Sequence, residues 1–126
     1  MKEGRLSGRR ILVVEDEYFI AADLKRALDA EDAIVVGPVG RLDQALALAS
    51  RQPVDAAVLD VNLGNATTYP VADHLRATAT PWVFVTGYDE WSMPAAYRDV
   101  PRLAKPFTVR AIIDMMVDVV AGGAAA

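Results

Sequence analysis

The sequence predicts an open α/β sheet of five parallel strands with helices on both faces, and three observations predict it. Short runs that are apolar at every position recur along the chain; such runs are strands covered on both faces, as in a parallel sheet. Segments of helical periodicity separate them, which is the signature of βαβ crossovers. Four of the runs break abruptly on Glu15, Asp60, Thr86 and Lys105, so polar side chains gather at one common edge.

The elements follow in order. Ile11–Val14 is the first strand and runs into Glu15-Asp16-Glu17. Tyr18–Ala30 is a helix with Phe19, Ile20, Leu24, Ala27 and Leu28 on its apolar face. Ala33–Val36 is the second strand, closed by Gly37-Pro38, and Leu42–Ser50 is the second helix, striped by Leu42, Ala45, Leu46 and Ala49. Ala56–Leu59 is the third strand and ends on Asp60; Asn62-Leu63-Gly64-Asn65 is turn chemistry. Val71–Ala77 is a short helix, and Trp82–Val85 is a fourth strand stopped by Thr86-Gly87. Between Tyr88 and Pro101 the pattern is weak: Pro94 and Pro101 bracket at most a short helix around Ala95–Arg98. Leu103-Ala104 is a minimal fifth strand. Thr108 caps a last helix whose Val109, Ile112, Ile113, Met116, Val117 and Val120 form one apolar face. The count is five strands and five helices in one domain over residues 10–121, with a basic N-terminal arm at 1–9 and a frayed tail at 122–126.

Composition narrows the function. A chain of 126 residues that is 53% hydrophobic can bury a sizeable core. It has no cysteine, so disulfide frameworks and thiolate metal sites are excluded, and a cytoplasmic location is expected. With one histidine, His74, zinc is not the expected metal. No apolar run reaches the roughly 20 residues of a membrane span, and the polar, basic start lacks the apolar core of a secretory signal. Net charge is −4, while the first ten residues hold Lys2, Arg5, Arg9 and Arg10 against Glu3. The body is therefore acidic, which argues against nucleic acid as a partner; the basic start is expected to be solvated and partly frayed.

In an open parallel sheet, ligands bind beyond the carboxyl ends of the strands. Glu15, Asp16 and Asp60 converge there with Thr86 and Lys105. Acids crowded together repel, and that cost requires a shifted pKa or a compensating cation. An all-oxygen donor set suits a hard ion such as Mg²⁺, which keeps waters alongside one or two carboxylates and a phosphate. A Lys ammonium serves phosphate as a point charge, and a Thr hydroxyl donates to a phosphoryl oxygen. The set is suited to phosphoryl transfer, in which a carboxylate can act as the nucleophile. No Gly-rich phosphate loop is present, so a nucleotide is not the expected ligand.

The runs ILVVEDE, AAVLDVNLG, FVTGYDE and LAKPF resemble, in order and spacing, the receiver domains of two-component response regulators, over about Arg10 to Val120. The resemblance implies a flavodoxin-like (βα)5 fold of strand order 2-1-3-4-5. It implies phosphorylation of Asp60 to 4-aspartylphosphate and a Mg²⁺ (or Mn²⁺) site at Glu15, Asp16, Asp60 and the Asn62 carbonyl. Thr86 and Lys105 would sense the phosphoryl group, and a cis bond would precede Pro106. Where many receivers carry a rotating aromatic, three residues before the lysine, this chain has Arg102. The stretch from Pro81 to Phe107 is similar to the FATGUY subclass, which often acts without an output domain and pairs with histidine kinases of the HWE or HisKA-2 type. A single-domain regulator follows, a monomer or weak dimer that signals through a partner protein or serves as a phosphate reservoir, with self-phosphorylation and autodephosphorylation as its only catalysis.

Two rival functions fit the same fold: a phosphohydrolase with an aspartyl-phosphate intermediate, and a non-phosphorylated interaction module. The first needs a general acid two residues after the nucleophile, where this chain has Asn62. The second is disfavoured by the full set of site residues. Other polar residues read as solvated, His74 as surface or half-buried, Trp82 and Phe84 as strand packing, and Trp91 as an anchor or a partner contact. The segment from Tyr88 to Pro101, poor in apolar residues, is expected at the low-stability end of the domain.

Overall fold

The computed structural model describes residues 4–64, 66–87 and 93–122. The described residues form five strands and four α-helices: β1 (Arg10–Val14), α1 (Tyr18–Ala30), β2 (Ile34–Val39), α2 (Leu42–Arg51), β3 (Ala56–Asp60), α3 (Tyr69–Ala77), β4 (Trp82–Thr86), β5 (Arg102–Ala104) and α4 (Val109–Gly122). The strands form one sheet in the order β2-β1-β3-β4-β5, and every neighbouring pair is parallel.

Strand periodicity of two explains how the apolar runs serve two cores. Leu12, Val14, Ala57, Leu59, Trp82 and Phe84 point to the face covered by α2 and α3, against Ala45, Val71, Ala72 and Leu75. Their alternates Ile11, Val13, Ala56, Val58, Val83 and Val85 point to the other face, against Leu24 and Leu28 of α1 and Ile112, Ile113 and Met116 of α4. The central strands are therefore buried at every position, which is why they read as unbroken apolar runs.

Several expectations need correction. The fourth crossover contains no α-helix among the described residues, only a single 3-10 turn at Ala95–Tyr97. Pro94 and Pro101 set its limits, since proline cannot continue a helical hydrogen-bond ladder. The turn is nevertheless tied down: Met93, Tyr97 and Val100 are all buried in the α2/α3 core. Met93–Val100 is thus packed against the core, while Tyr88 and Trp91 lie outside the described residues.

β2 does not close at Gly37-Pro38 but runs through a cis bond there to Val39. A register irregularity between Leu12 and Val14 lets Val39 pair with Val14, and Val39 O accepts the Glu15 N–H at 2.9 Å. Phe19 is 79% exposed rather than on the apolar face of α1. At helical spacing it belongs with Asp23 and Arg26, whereas Ile20, Leu24 and Leu28 make the buried stripe.

The N-terminal arm is not frayed from Gly4 onward. Leu6 is 1% exposed and packs between α1 and α4. Its N–H donates to Glu31 O, Gly8 N–H donates to Asp32 O, and Arg5 reaches Asp114 on α4 at 2.7 Å. One apolar side chain amid polar neighbours supplied the anchor that composition concealed. Gly4 fits because a Cβ there would lie 2.2 Å from the Glu31 backbone. The cap expected at Thr108 is present: its Oγ1 accepts the Ala111 N–H at 3.1 Å. The last helix extends to Gly122.

Candidate functional site

All of the sequence-predicted site residues meet at the carboxyl edge of the sheet. Asp60 is the last residue of β3 and Thr86 the last of β4; Glu15 follows β1 and Lys105 follows β5. Buried parallel strands fix these positions to the register of the sheet rather than to mobile loops: Asp60 pairs with Val85 and Thr86 with Ala104. Lys105 is held further by its own N–H, which donates to Thr86 O at 2.7 Å, and the bond before Pro106 is cis as the resemblance implies.

Glu15, Asp60 and Thr86 are buried, Asp16 is exposed. Carboxylate oxygens of Glu15, Asp16 and Asp60 lie within 4.8 Å of one another. Lys105 Nζ is 3.0 Å from Asp60 Oδ2, 3.1 Å from Glu15 Oε1 and 3.7 Å from Glu17 Oε2. Burial, with the nearby Asp60 charge adding to it, pushes the Glu15 carboxyl up to about 7. For Lys105, burial opposes the ammonium form, but Asp60 and Glu15 outweigh it and raise the pKa. Asp60 Oδ1 accepts the Asn62 N–H at 3.2 Å. Thr86 Oγ1 is buried with no hydrogen-bond partner among the described residues.

These groups line an open crevice of about 550 Å³, with Asp16, Glu17, Asp60, Asn62, Thr86 and Lys105 on its polar side and Tyr69 and Met93 on its apolar side. Arg102 is not among its lining residues; its guanidinium donates to Met93 Sδ at 3.0 Å and to Arg98 O at 3.2 Å. The partner that a half-buried guanidinium requires is therefore supplied by the fourth crossover.

Sequence reasoning missed three contributors. Thr68 is fully buried, and its Oγ1 donates to Asp60 O at 2.7 Å, fastening the start of α3 to the end of β3. The Thr67-Thr68 pair before Tyr69-Pro70 was the available signal, because Ser and Thr commonly satisfy backbone groups where helices start. Gly40, which reads as a turn former, is instead a close approach: a Cβ there would sit 3.0 Å from Asp16 Cα. Tyr69 as a crevice wall had no signal in the sequence. His74 is half-buried as expected, its Nε2 3.3 Å from Ala49 O.

A 2-1-3-4-5 parallel sheet with an acidic cluster and a lysine at its switch point defines a receiver-type signalling domain. The family model described as response regulator receiver domain matches residues 11–117, and the chain belongs to that family, a component of two-component systems. Among solved structures it is similar to SdrG from Sphingomonas melonis Fr1, with 41% identity, a TM-score of 0.77, and 86% of this chain and 93% of that one covered. The BeF3-activated conformation of SdrG aligns with 38% identity and a TM-score of 0.74 over 95% of this chain and 99% of that one. The transcriptional regulatory protein PdtaR of Mycobacterium tuberculosis is 28% identical over 109 residues, 83% of this chain but 53% of PdtaR. The chain thus spans about half the length of that relative. No helix among the described residues is long and apolar enough to cross a membrane.

Proposed function

We propose that this receiver accepts a phosphoryl group on Asp60 from a histidine kinase, in a Mg²⁺-dependent reaction. It then signals by binding a protein, or serves as a phosphate reservoir. The observation that carries this reading is the company Asp60 keeps in one crevice: an ammonium 3.0 Å away, and the Thr86 hydroxyl, which is buried and has no hydrogen-bond partner among the described residues.

The donor set fits a hard divalent ion. Three carboxylates meet within 4.8 Å, and burial, with the Asp60 charge adding to it, holds the Glu15 carboxyl up at about 7, so the carboxylate form would gain from a cation. Glu15, Asp16, Asp60 and the Asn62 carbonyl would hold Mg²⁺ (or Mn²⁺), which would neutralise charge on the phosphoryl oxygens. The chain's own groups do the rest. The Asp60 carboxylate attacks phosphorus, an acyl phosphate O–P bond forms, and the bond from phosphorus to its donor breaks with the electron pair leaving on the donor. Lys105 stabilises charge on the phosphoryl group, and the Thr86 hydroxyl donates to one of its oxygens. Asn62 N–H orients the carboxylate through Oδ1. Catalysis stops at self-phosphorylation and autodephosphorylation, because Asn62 cannot protonate a leaving group as a phosphohydrolase would require.

At the start of α1, directly after the crevice residue Glu17, Tyr18 and Phe19 are 77% and 79% exposed and stacked edge to face at 5.3 Å. An exposed aromatic pair on the helix that follows Asp16 and Glu17 suits docking of the kinase. The resemblance of Pro81–Phe107 to the FATGUY subclass supports a kinase of the HWE or HisKA-2 type. We place the protein in the cytoplasm as a monomer or weak dimer with no nucleic-acid partner. Incubation with Mg²⁺ and acetyl phosphate tests the reading: one stable phosphate per chain supports it, rapid turnover of organic phosphates favours an enzyme, and no adduct favours an inert module.

A further inference from the structure

The crevice wall connects to the far side of the α2/α3 face through aromatic rings. Tyr69, which lines the crevice, stacks on Tyr97 with centroids 4.6 Å apart and planes 8° from parallel. Both rings stand edge-on to Phe84, at 6.1 and 5.9 Å. Phe84 is fully buried in β4, two residues before Thr86, so it is a fixed support. On the far side, the Arg76 guanidinium lies over Tyr97 at 5.8 Å and over Trp82 at 5.3 Å.

The 3-10 turn that carries Tyr97 has little structure of its own, and α3 holds it. The Tyr97 hydroxyl donates to Asp73, Arg76 donates to Ala96 O at 2.7 Å, and Arg76 pairs with Asp99 at 3.5 Å. The start of α3 is in turn fastened to the Asp60 backbone through Thr68. A rearrangement at Asp60 therefore reaches Tyr69 directly, and Tyr69 meets Tyr97 face to face. Two stacked rings on a rigid support have few arrangements: they keep the stack or part from it, which is the discrete behaviour that coupling between sites needs.

We propose that Tyr97 reads the state of the Asp60 site through its stack on Tyr69 and passes it to Arg76 and Trp82 at the opposite end of α3. Arg102 adds a further tie to the segment that carries Tyr97, because its guanidinium donates to Met93 Sδ and Arg98 O. A second cavity, of about 640 Å³ and lined by Arg76, Trp82, Asp99 and Val100, opens where the relay ends. The proposal rests on phosphorylation at Asp60.

The test uses Trp91→Phe, which leaves Trp82 as the only tryptophan of two in the chain. Beryllofluoride with Mg²⁺ is titrated while Trp82 fluorescence reports the far end and ¹⁹F NMR reports bound fluoride. We expect a saturable Trp82 change that follows fluoride binding. Adding Tyr97→Leu should preserve bound fluoride and reduce the Trp82 change at least about threefold, whereas Tyr97→Phe, which keeps the ring, should retain most of it. Bound fluoride without a Trp82 change in the Trp91→Phe protein overturns the relay whatever the variants do. A full response in a folded Tyr97→Leu protein overturns it as well. Absence of bound fluoride overturns the Asp60 reading and, with it, this one.

Discussion

Lys105 Nζ stands 3.0 Å from Asp60 Oδ2 and 3.1 Å from Glu15 Oε1, so one ammonium compensates two buried carboxylates. Removing one partner of a buried pair costs more than the pair contributes, because the remaining charge is left uncompensated. Lys105→Ala should unfold cooperatively but with stability lower by roughly 3 kcal/mol, at the low end for a buried pair. Mg²⁺ should restore part of the loss. Urea denaturation with and without Mg²⁺ checks this. A variant already unfolded at ambient temperature, or one as stable as the parent, would be inconsistent with the arrangement.

Glu15 sets a pH dependence. Its folded pKa of about 7 lies above its ordinary value of 4.5. In the ion-free protein, the corresponding stability is fully present below about 4.5 and lost as pH rises through about 7. A cation needs the carboxylate form, so protons compete with it. Apparent Mg²⁺ affinity should fall as pH drops below 7, by up to about tenfold per unit. The Mg²⁺-induced rise in melting temperature should therefore be larger at pH 8 than at pH 6. Equal shifts at both pH values would remove Glu15 from the ion's surroundings.

The N-terminal segment is part of the fold. Leu6 is 1% exposed among Leu24, Leu28, Ile112 and Met116. Leu6→Ala should cost about 2–5 kcal/mol, as for other fully buried leucines. Arg5→Ala, which breaks an exposed, solvent-screened ion pair, should cost much less than that. Denaturation midpoints of the two variants check the ranking. A smaller loss for Leu6→Ala than for Arg5→Ala would reverse it.

Kinase docking and phosphoryl chemistry should separate at Tyr18 and Phe19. Both are exposed and neither lines the crevice. The double substitution Tyr18→Ser, Phe19→Ser should slow transfer from a cognate kinase tenfold or more, about 1.4 kcal/mol of docking. Reaction with acetyl phosphate should stay the same. Equal slowing of both reactions would tie the pair to the chemistry instead.

The fold and the polar edge were legible because both arise from local patterns. Runs such as Ala56–Leu59 must be buried on both faces, and the first polar residue after each is placed by the strand itself. What escaped depended on contacts distant in sequence. Leu6 packs on α4 more than 100 residues away, as its neighbour Arg5 shows by reaching Asp114 across 109 positions. Tyr97 is buried through Tyr69 and Asp73, which no periodicity in a proline-bracketed segment reveals. Phe19 misled because a one-residue offset at the start of α1 moves a side chain from the core to solvent.

The most direct test of the central claim is the intact mass of the wild-type and Asp60→Asn proteins after acetyl phosphate and Mg²⁺, with the modified residue mapped by fragmentation. The account predicts one phosphate on the wild type, located at Asp60, and none on Asp60→Asn, whose side chain keeps its volume but loses the nucleophile. A phosphate gained by Asp60→Asn at the wild-type rate, or one mapped to another residue of the wild type, would contradict it.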